Sequence, residues 1–227
     1  MRLSWPLTGR AEEMGAIEAA ILASDVSGIV VFGAAGVGKS RIAREALSAA
    51  ESRGCEGRWV VGTSSARTLP LGAFTAWAQS GVTDTVQLVR GVIESLTAAA
   101  PGATVVGIDD VHLLDDLSTF VVHQIVQRSA AKVVLTVRDG EPISAGTQEL
   151  WKVGQFGRPD VQPMSADDTT TLSSATLGEL MDSHAAGRLW ELTRGNVTAY
   201  CRFLQLRSDP LRASSTPGAA GRRGGSR

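Results

Sequence analysis

The sequence predicts an α/β fold, a parallel sheet held between two layers of helices, and three observations predict it. Short runs of apolar, largely β-branched residues alternate along the chain with segments of helical period. One run, Ile29-Val-Val-Phe, leads straight into Gly33-Ala-Ala-Gly-Val-Gly-Lys-Ser and then a helical pattern. Another, Thr104-Val-Val-Gly-Ile, ends in two adjacent acids, Asp109 and Asp110. Strands apolar at every position belong in a sheet covered on both faces. Carboxylates at the end of such a strand avoid the cost of burial only where it emerges at the sheet's C-terminal edge, the edge at which α/β proteins hold ligands.

Taken in order, Met14, Ile17 and Leu22 recur at helical spacing and predict a first helix running to about Ser24, with Arg10 and Glu13 as ordinary helix-start residues on the plainest reading. The strand over residues 29–32 and the glycine-rich turn follow. Ile42, Ala46, Leu47 and Ala50 line one face of the next helix, with Arg41, Arg44, Glu45 and Glu51 on its wet side. A second strand is expected over 58–62. Residues 63–83 are irregular, with a short helix over 73–79. Val86, Leu88, Val89, Val92, Ile93 and Leu96 form a helical stripe stopped by Pro101-Gly102. After the acid-tipped strand come a helix containing Phe120, Val121 and Ile125, a strand over 132–137, a short helix over 147–153 and a weak fifth strand around Val161. Helical pattern then resumes at Ser165, with segments ending near Ser174, Thr193 and Leu206. The expected organisation is a core over 1–164, a small helical lid over 165–207 and a disordered tail over 208–227, since that tail is nearly free of apolar residues.

Composition removes several function classes. The 227 residues are 43% apolar and 20% charged with a net charge of -1, so no broad basic field recruits nucleic acid or anionic lipid. Cys55 and Cys201 and the three scattered histidines lack metal-ligand spacing. No apolar run approaches the ~18 residues of a membrane span, and the N-terminus lacks a signal-peptide pattern. A cytoplasmic protein with reduced thiols is the expectation.

The turn over residues 33–40 reads as a phosphate cradle. Gly33, Gly36 and Gly38 allow the tight path that aims successive N–H groups, including those of Ala34, Ala35 and Val37, into one hollow, with Arg41 just beyond. Lys39 supplies an ammonium for β- and γ-phosphates and Ser40 a hydroxyl ligand for Mg²⁺. Only three residues of the chain are lysine, against nineteen arginines, and one stands at this position. Asp109 would hold Mg²⁺, directly or through water, and Asp110 would orient or deprotonate an attacking water; on their own the pair also read as a helix cap. Thr136 and Arg138 suit a γ-phosphate sensor, or else a satisfied hydroxyl and a solvated guanidinium. Guanine-reading Asn-Lys-x-Asp is absent, Asn196 being the only asparagine, so ATP is preferred over GTP. A small-molecule kinase shares the cradle motif and is the competing enzyme class.

These motifs, with Leu7-Thr-Gly-Arg-Ala-Glu-Glu-Met, Val-Val-Gly-Ile-Asp-Asp-Val-His-Leu-Leu-Asp over 105–115, Val-Leu-Thr-Val-Arg-Asp over 134–139 and Leu-Trp-Glu-Leu-Thr-Arg-Gly-Asn over 189–196, occur in one order. The chain thereby resembles the ATPase module of STAND signal-transduction ATPases, particularly that of large LuxR-type bacterial transcriptional regulators, relatives of the AAA+ and origin-recognition ATPases. The resemblance implies a three-layer P-loop NTPase of ASCE type with strand order 5-1-4-3-2 and a C-terminal helical lid. It implies Gly9 and Arg10 near the base and ribose, ATP phosphates on 33–40, Mg²⁺ on Ser40 and Asp109, Asp110 as catalytic base and Arg138 as γ-phosphate sensor. Gly195, Asn196 and Val197 would form the hinge of the lid. ATP and ADP, self-association or a regulatory protein partner are the implied interactions, without direct DNA binding by this chain alone and without a membrane. Relatives carry Glu where Ala11 stands and Pro where Val197 stands, so a non-catalytic nucleotide-binding or interaction fragment stands as the alternative to a nucleotide switch with slow hydrolysis.

Overall fold

Five parallel strands form one sheet in the order β2-β3-β4-β1-β5: β1 Gly28–Val31, β2 Glu56–Val61, β3 Thr104–Asp109, β4 Lys132–Thr136 and β5 Phe156–Gly157. This is the expected order read from the opposite edge. The structure is a computed structural model and describes residues 6–98, 104–153, 155–177 and 183–208. Residues beyond Ser208, expected to be a disordered tail, lie outside the described residues.

Alternation along the strands explains why both faces are apolar. Val30, Val106, Ile108, Val133 and Leu135 pack on one side with helices α3 (Thr85–Leu96), α4 (Asp116–Gln127) and α5 (Ala145–Val153). Ile29, Val31, Val105 and Val134 face the other, against α1 (Ala11–Leu22) and α2 (Lys39–Ser52). Each fully buried Val, Leu or Ile contributes about 1.5–3 kcal/mol, so the central strands anchor everything built at their tips. Three further helices, α6 (Ala166–Leu177), α7 (Ser183–Thr193) and α8 (Val197–Ser208), share their own cluster of Met164, Leu172, Leu189, Tyr200 and Leu204.

Several local expectations are corrected. α1 stops at Leu22, which is 68% exposed, and Ile21 rather than Leu22 joins Ile17 in the core. Over three turns the 100° step carries position 22 past the buried stripe. The fifth strand is Phe156–Gly157, not a run around Val161. Pro159 explains the difference, since it has no N–H to give the ladder. Pairing with β1 resumes beyond it only as a Phe32–Asp160 bridge and a Val161 N–H donation to Phe32 O of 2.8 Å. In place of a helix over 73–79 the chain makes 3₁₀ turns at Ala66–Thr68 and Gly72–Phe74. Asp115, the N-cap of α4, holds that segment by accepting from the N–H groups of Leu71 and Gly72 at 3.1 and 3.2 Å.

Candidate nucleotide site

Register assembles the site before any side chain is considered. Val31 pairs with Thr136 and Ile108 with Leu135, so the tips of β1, β3 and β4 end level with one another. The loop after β1 therefore leaves the sheet beside the acids that end β3.

Within that loop Gly36 has φ +77° and Gly38 φ +105°, conformations an L side chain resists. They turn the loop onto the N-terminus of α2. Among the described residues, the N–H groups of Gly36, Val37, Gly38, Lys39 and Ser40 donate to no protein acceptor. Adjacent unsatisfied donors at a helix N-terminus constitute an anion site. Lys39 is buried, and its Nζ donates to Gly33 O and Ala34 O, both at 2.8 Å. Burial lowers its pKa below the ordinary lysine value, opposed by Asp110, Asp139 and Asp109. The ammonium thus braces the loop from inside.

The acids occupy different environments. Asp109 is 7% exposed, and its Oδ1 accepts from Ser40 Oγ at 2.8 Å and Thr136 Oγ1 at 2.6 Å. Thr136 Oγ1 in turn accepts from the Asp110 N–H at 2.9 Å, so one hydroxyl ties both acids to β4. Two oxygens of hard character, one anionic, converge beside the loop and fit a Mg²⁺ ion. Asp110 sits at φ +53° with its carboxylate 39% exposed toward the loop. Burial, and next the Asp109 charge, raise its pKa above the ordinary carboxylate value, against His112, Lys39 and Arg138.

A cavity of about 570 Å³ runs from Asp110 to the helical layer. Ala35, Gly36, Val37, Gly38, Lys39, Ser40 and Arg41 line one wall; Arg10, Asp110, Arg138, Val197 and Cys201 line others. Burial raises the Cys201 thiol pKa. Arg10 reaches beneath the loop, donating to Val37 O at 3.3 Å and Gln162 O at 2.6 Å, and pairs with Glu13 at 2.8 Å. Arg138 is 48% exposed at the mouth, 3.5 Å from Glu141.

Other residues singled out in the sequence do not line this cavity. Gly9 (φ +67°) packs on the Asp168 carboxylate, which a Cβ would meet at 2.2 Å. Gly195 (φ +70°) crosses Met164, whose N–H donates to Gly195 O at 2.9 Å. Asn196 reaches the phosphate loop itself: its Nδ2 donates to Ala35 O at 2.8 Å, while Thr198 N donates to Gly36 O at 3.1 Å. The N-terminus of α8 is thereby fastened to the loop. Sequence reasoning missed Gly62, where a Cβ would lie 2.5 Å from Asp110 O, so that only glycine lets β2 approach the acid-bearing tip. It missed Asp115 as the staple of the irregular segment and His112 as a buried neighbour of Asp110.

A family model for the AAA ATPase domain matches residues 6–137, more than half the chain. The chain belongs to the AAA ATPase domain family. Among solved structures this AAA ATPase domain is similar to the Orc1 protein of Aeropyrum pernix in complex with DNA, at 16% identity and TM-score 0.65, covering 91% of this chain and 61% of that one. It is similar to AMPPCP-bound DnaA from Aquifex aeolicus, at 12% identity and TM-score 0.65, covering 90% of this chain and 63% of that one. A DNA replication initiation factor gives 13% identity and TM-score 0.61, with 87% and 59% covered. At such identities the likeness is one of fold, and the AAA domain spans about three fifths of each of these structures. No curated protein sequence matches it. None of the described helices is long and apolar enough to cross a membrane.

Proposed function

We propose that this AAA ATPase domain is a Mg²⁺-ATP-dependent switch with slow hydrolysis, the nucleotide module of a LuxR-type bacterial regulator in the cytoplasm. One observation carries the reading: the unsatisfied N–H groups of the phosphate loop open beside the Ser40–Asp109–Thr136–Asp110 chain of hydrogen bonds. Residues 33–40 hold the phosphates, and Lys39 exchanges loop carbonyls for phosphate oxygens. Ser40 and Asp109 would hold Mg²⁺, which would neutralise phosphate charge. Asp110 orients the attacking water and takes its proton at the carboxylate. Arg138 meets the γ-phosphate from the mouth, and Arg10, with the Gly9 turn behind it, borders the base and ribose.

Residues 165–207 act as a lid. Because Asn196 and Thr198 bond the loop directly, lid position and loop conformation form one coupled element, which is what a nucleotide switch needs. The ATP form self-associates or engages a regulatory protein. The net charge of -1 argues against DNA contact by this chain alone, although the Orc1 structure it resembles contains DNA.

The test has two arms. Wild type should show an ATP-dependent thermal shift that Lys39→Ala abolishes. Asp110→Asn should keep the shift and lose turnover. Absence of any shift in the wild type refutes nucleotide binding, and undiminished turnover in Asp110→Asn refutes the assigned base.

A further inference from the structure

We propose that His112 is a positioning residue for Asp110, its Nδ1–H closing onto the Asp110 carboxylate to fix that carboxylate's orientation toward the phosphate loop. The inference rests on the reading of Asp110 as the base.

Three observations carry it. The His112 side chain is 5% exposed, and its Nδ1 is buried without a hydrogen-bond partner. Leaving such an atom unpaired costs about 1–3 kcal/mol, so a buried nitrogen in this state calls for an explanation. The carboxylate beside it is Asp110, with Oδ1 4.0 Å from Nδ1, about 1 Å beyond hydrogen-bond range.

Only side-chain rotation can close that gap, because the Asp110 backbone is fastened on every side. Its N–H donates to Thr136 Oγ1 at 2.9 Å, and its carbonyl accepts from Leu113 N at 2.8 Å. Gly62, with no Cβ, packs against the same carbonyl. His112 rides on the single 3₁₀ turn Val111–Leu113 that follows, where Val111 is buried. The carboxylate of Asp110 is 39% exposed and free to turn. A carboxylate rotating in an open mouth is a poorly aimed base; held by an imidazole N–H on its far side, it presents one oxygen to the loop. A bond at Nδ1 also decides which imidazole nitrogen carries the proton.

The experiment uses the whole chain. His112→Phe keeps an apolar ring in place and removes the donor, whereas His112→Asn restores an amide N–H near the Nδ1 position. His112→Phe should lower kcat on the order of 10- to 100-fold with ATP affinity within about two-fold of wild type. His112→Asn should recover most of the loss. Measured on the residual single-turnover rate of Asp110→Asn, His112→Phe should add nothing, since the histidine acts through the acid. Independently of turnover, ¹⁵N-histidine NMR with Mg²⁺ and a non-hydrolysable ATP analogue should show an Nδ1–H for His112 that Asp110→Ala, which removes the acceptor, abolishes.

Wild-type kcat in His112→Phe, failure of His112→Asn to recover, or additive losses would each overturn the proposal. If wild type does not hydrolyse ATP, the assignment of hydrolysis fails, and the NMR signal alone decides whether the pair exists. Its absence overturns the pairing. If His112→Phe does not fold, His112→Asn and the wild-type spectrum decide in the same way.

Discussion

Gly36→Ala tests the fastening of α8 to the phosphate loop. The new Cβ would lie 2.4 Å from Asn196 Oδ1, 2.7 Å from its Nδ2 and 2.9 Å from its Cγ, so the obstruction is one side chain and no backbone. Asn196 must leave, giving up its donation to Ala35 O and its capping of α8, where Oδ1 accepts from Ala199 N at 3.0 Å. The lost bond costs about 1 kcal/mol and the lost cap about 1 kcal/mol. Alanine at φ +77° adds about 1–2 kcal/mol. Gly36→Ala should therefore destabilise by about 3–4 kcal/mol and Asn196→Ala by about 2 kcal/mol. Their combination should cost no more than Gly36→Ala alone, because the clash and both bonds vanish with the asparagine. Urea unfolding measures these values. Hydrogen exchange over 194–204, which includes the Thr198 and Ala199 amides, should quicken by roughly 30-fold in Asn196→Ala. Additive losses in the double variant, or a Gly36→Ala within about 1 kcal/mol of wild type, would refute the geometry.

Further expectations follow from the site and the helical layer. Thr136→Val strands the Asp110 N–H and removes a donor from Asp109, so it should cost about 1–3 kcal/mol in thermal unfolding and weaken the Mg²⁺ dependence of ATP binding. Tyr200 is buried, and burial raises its pKa above the ordinary phenol value despite the 2.8 Å hydrogen bond to Ser173. The unfolded phenol ionises first, so this stabilising contribution is complete below pH 10.0 and lost as pH rises through the folded value. Alkaline melting followed by circular dichroism should be steeper for wild type than for Tyr200→Phe; parallel curves would contradict this. Arg138→Ala, at an exposed position beside Glu141, should leave stability within about 0.5 kcal/mol while slowing turnover, and unchanged turnover would remove Arg138 from the site.

What the sequence made legible was local or chemically unambiguous. The strand–loop–helix over 29–52 was readable because three glycines, one lysine and two apolar periodicities each act within a few residues of one another. The strand order followed from the resemblance and agrees with the structure. Thr136 could not be read fully, since its bonds to both acids depend on the β3–β4 register, which no residue of β4 announces. Asp115 and Gly62 were illegible for the same reason, their partners lying across long stretches of chain or in a neighbouring strand. β5 was displaced because Val161 is buried like a strand residue while Pro159 interrupts the ladder just before it. The resemblance alone suggests a hinge at Gly195, Asn196 and Val197, and the direct bond from Asn196 to the phosphate loop is visible only in three dimensions.

The central claim, that the phosphate loop and the acid pair serve one metal-bound nucleotide, is tested most directly by calorimetric titration of ATP into the protein with Mg²⁺ and with EDTA. One site should appear with Mg²⁺, weaken sharply in EDTA and in Ser40→Ala, and vanish in Lys39→Ala. At a hundredfold excess over Kd it should stabilise the fold by about 2.7 kcal/mol. Binding that ignores the metal, or that survives in Lys39→Ala unchanged, would contradict the account.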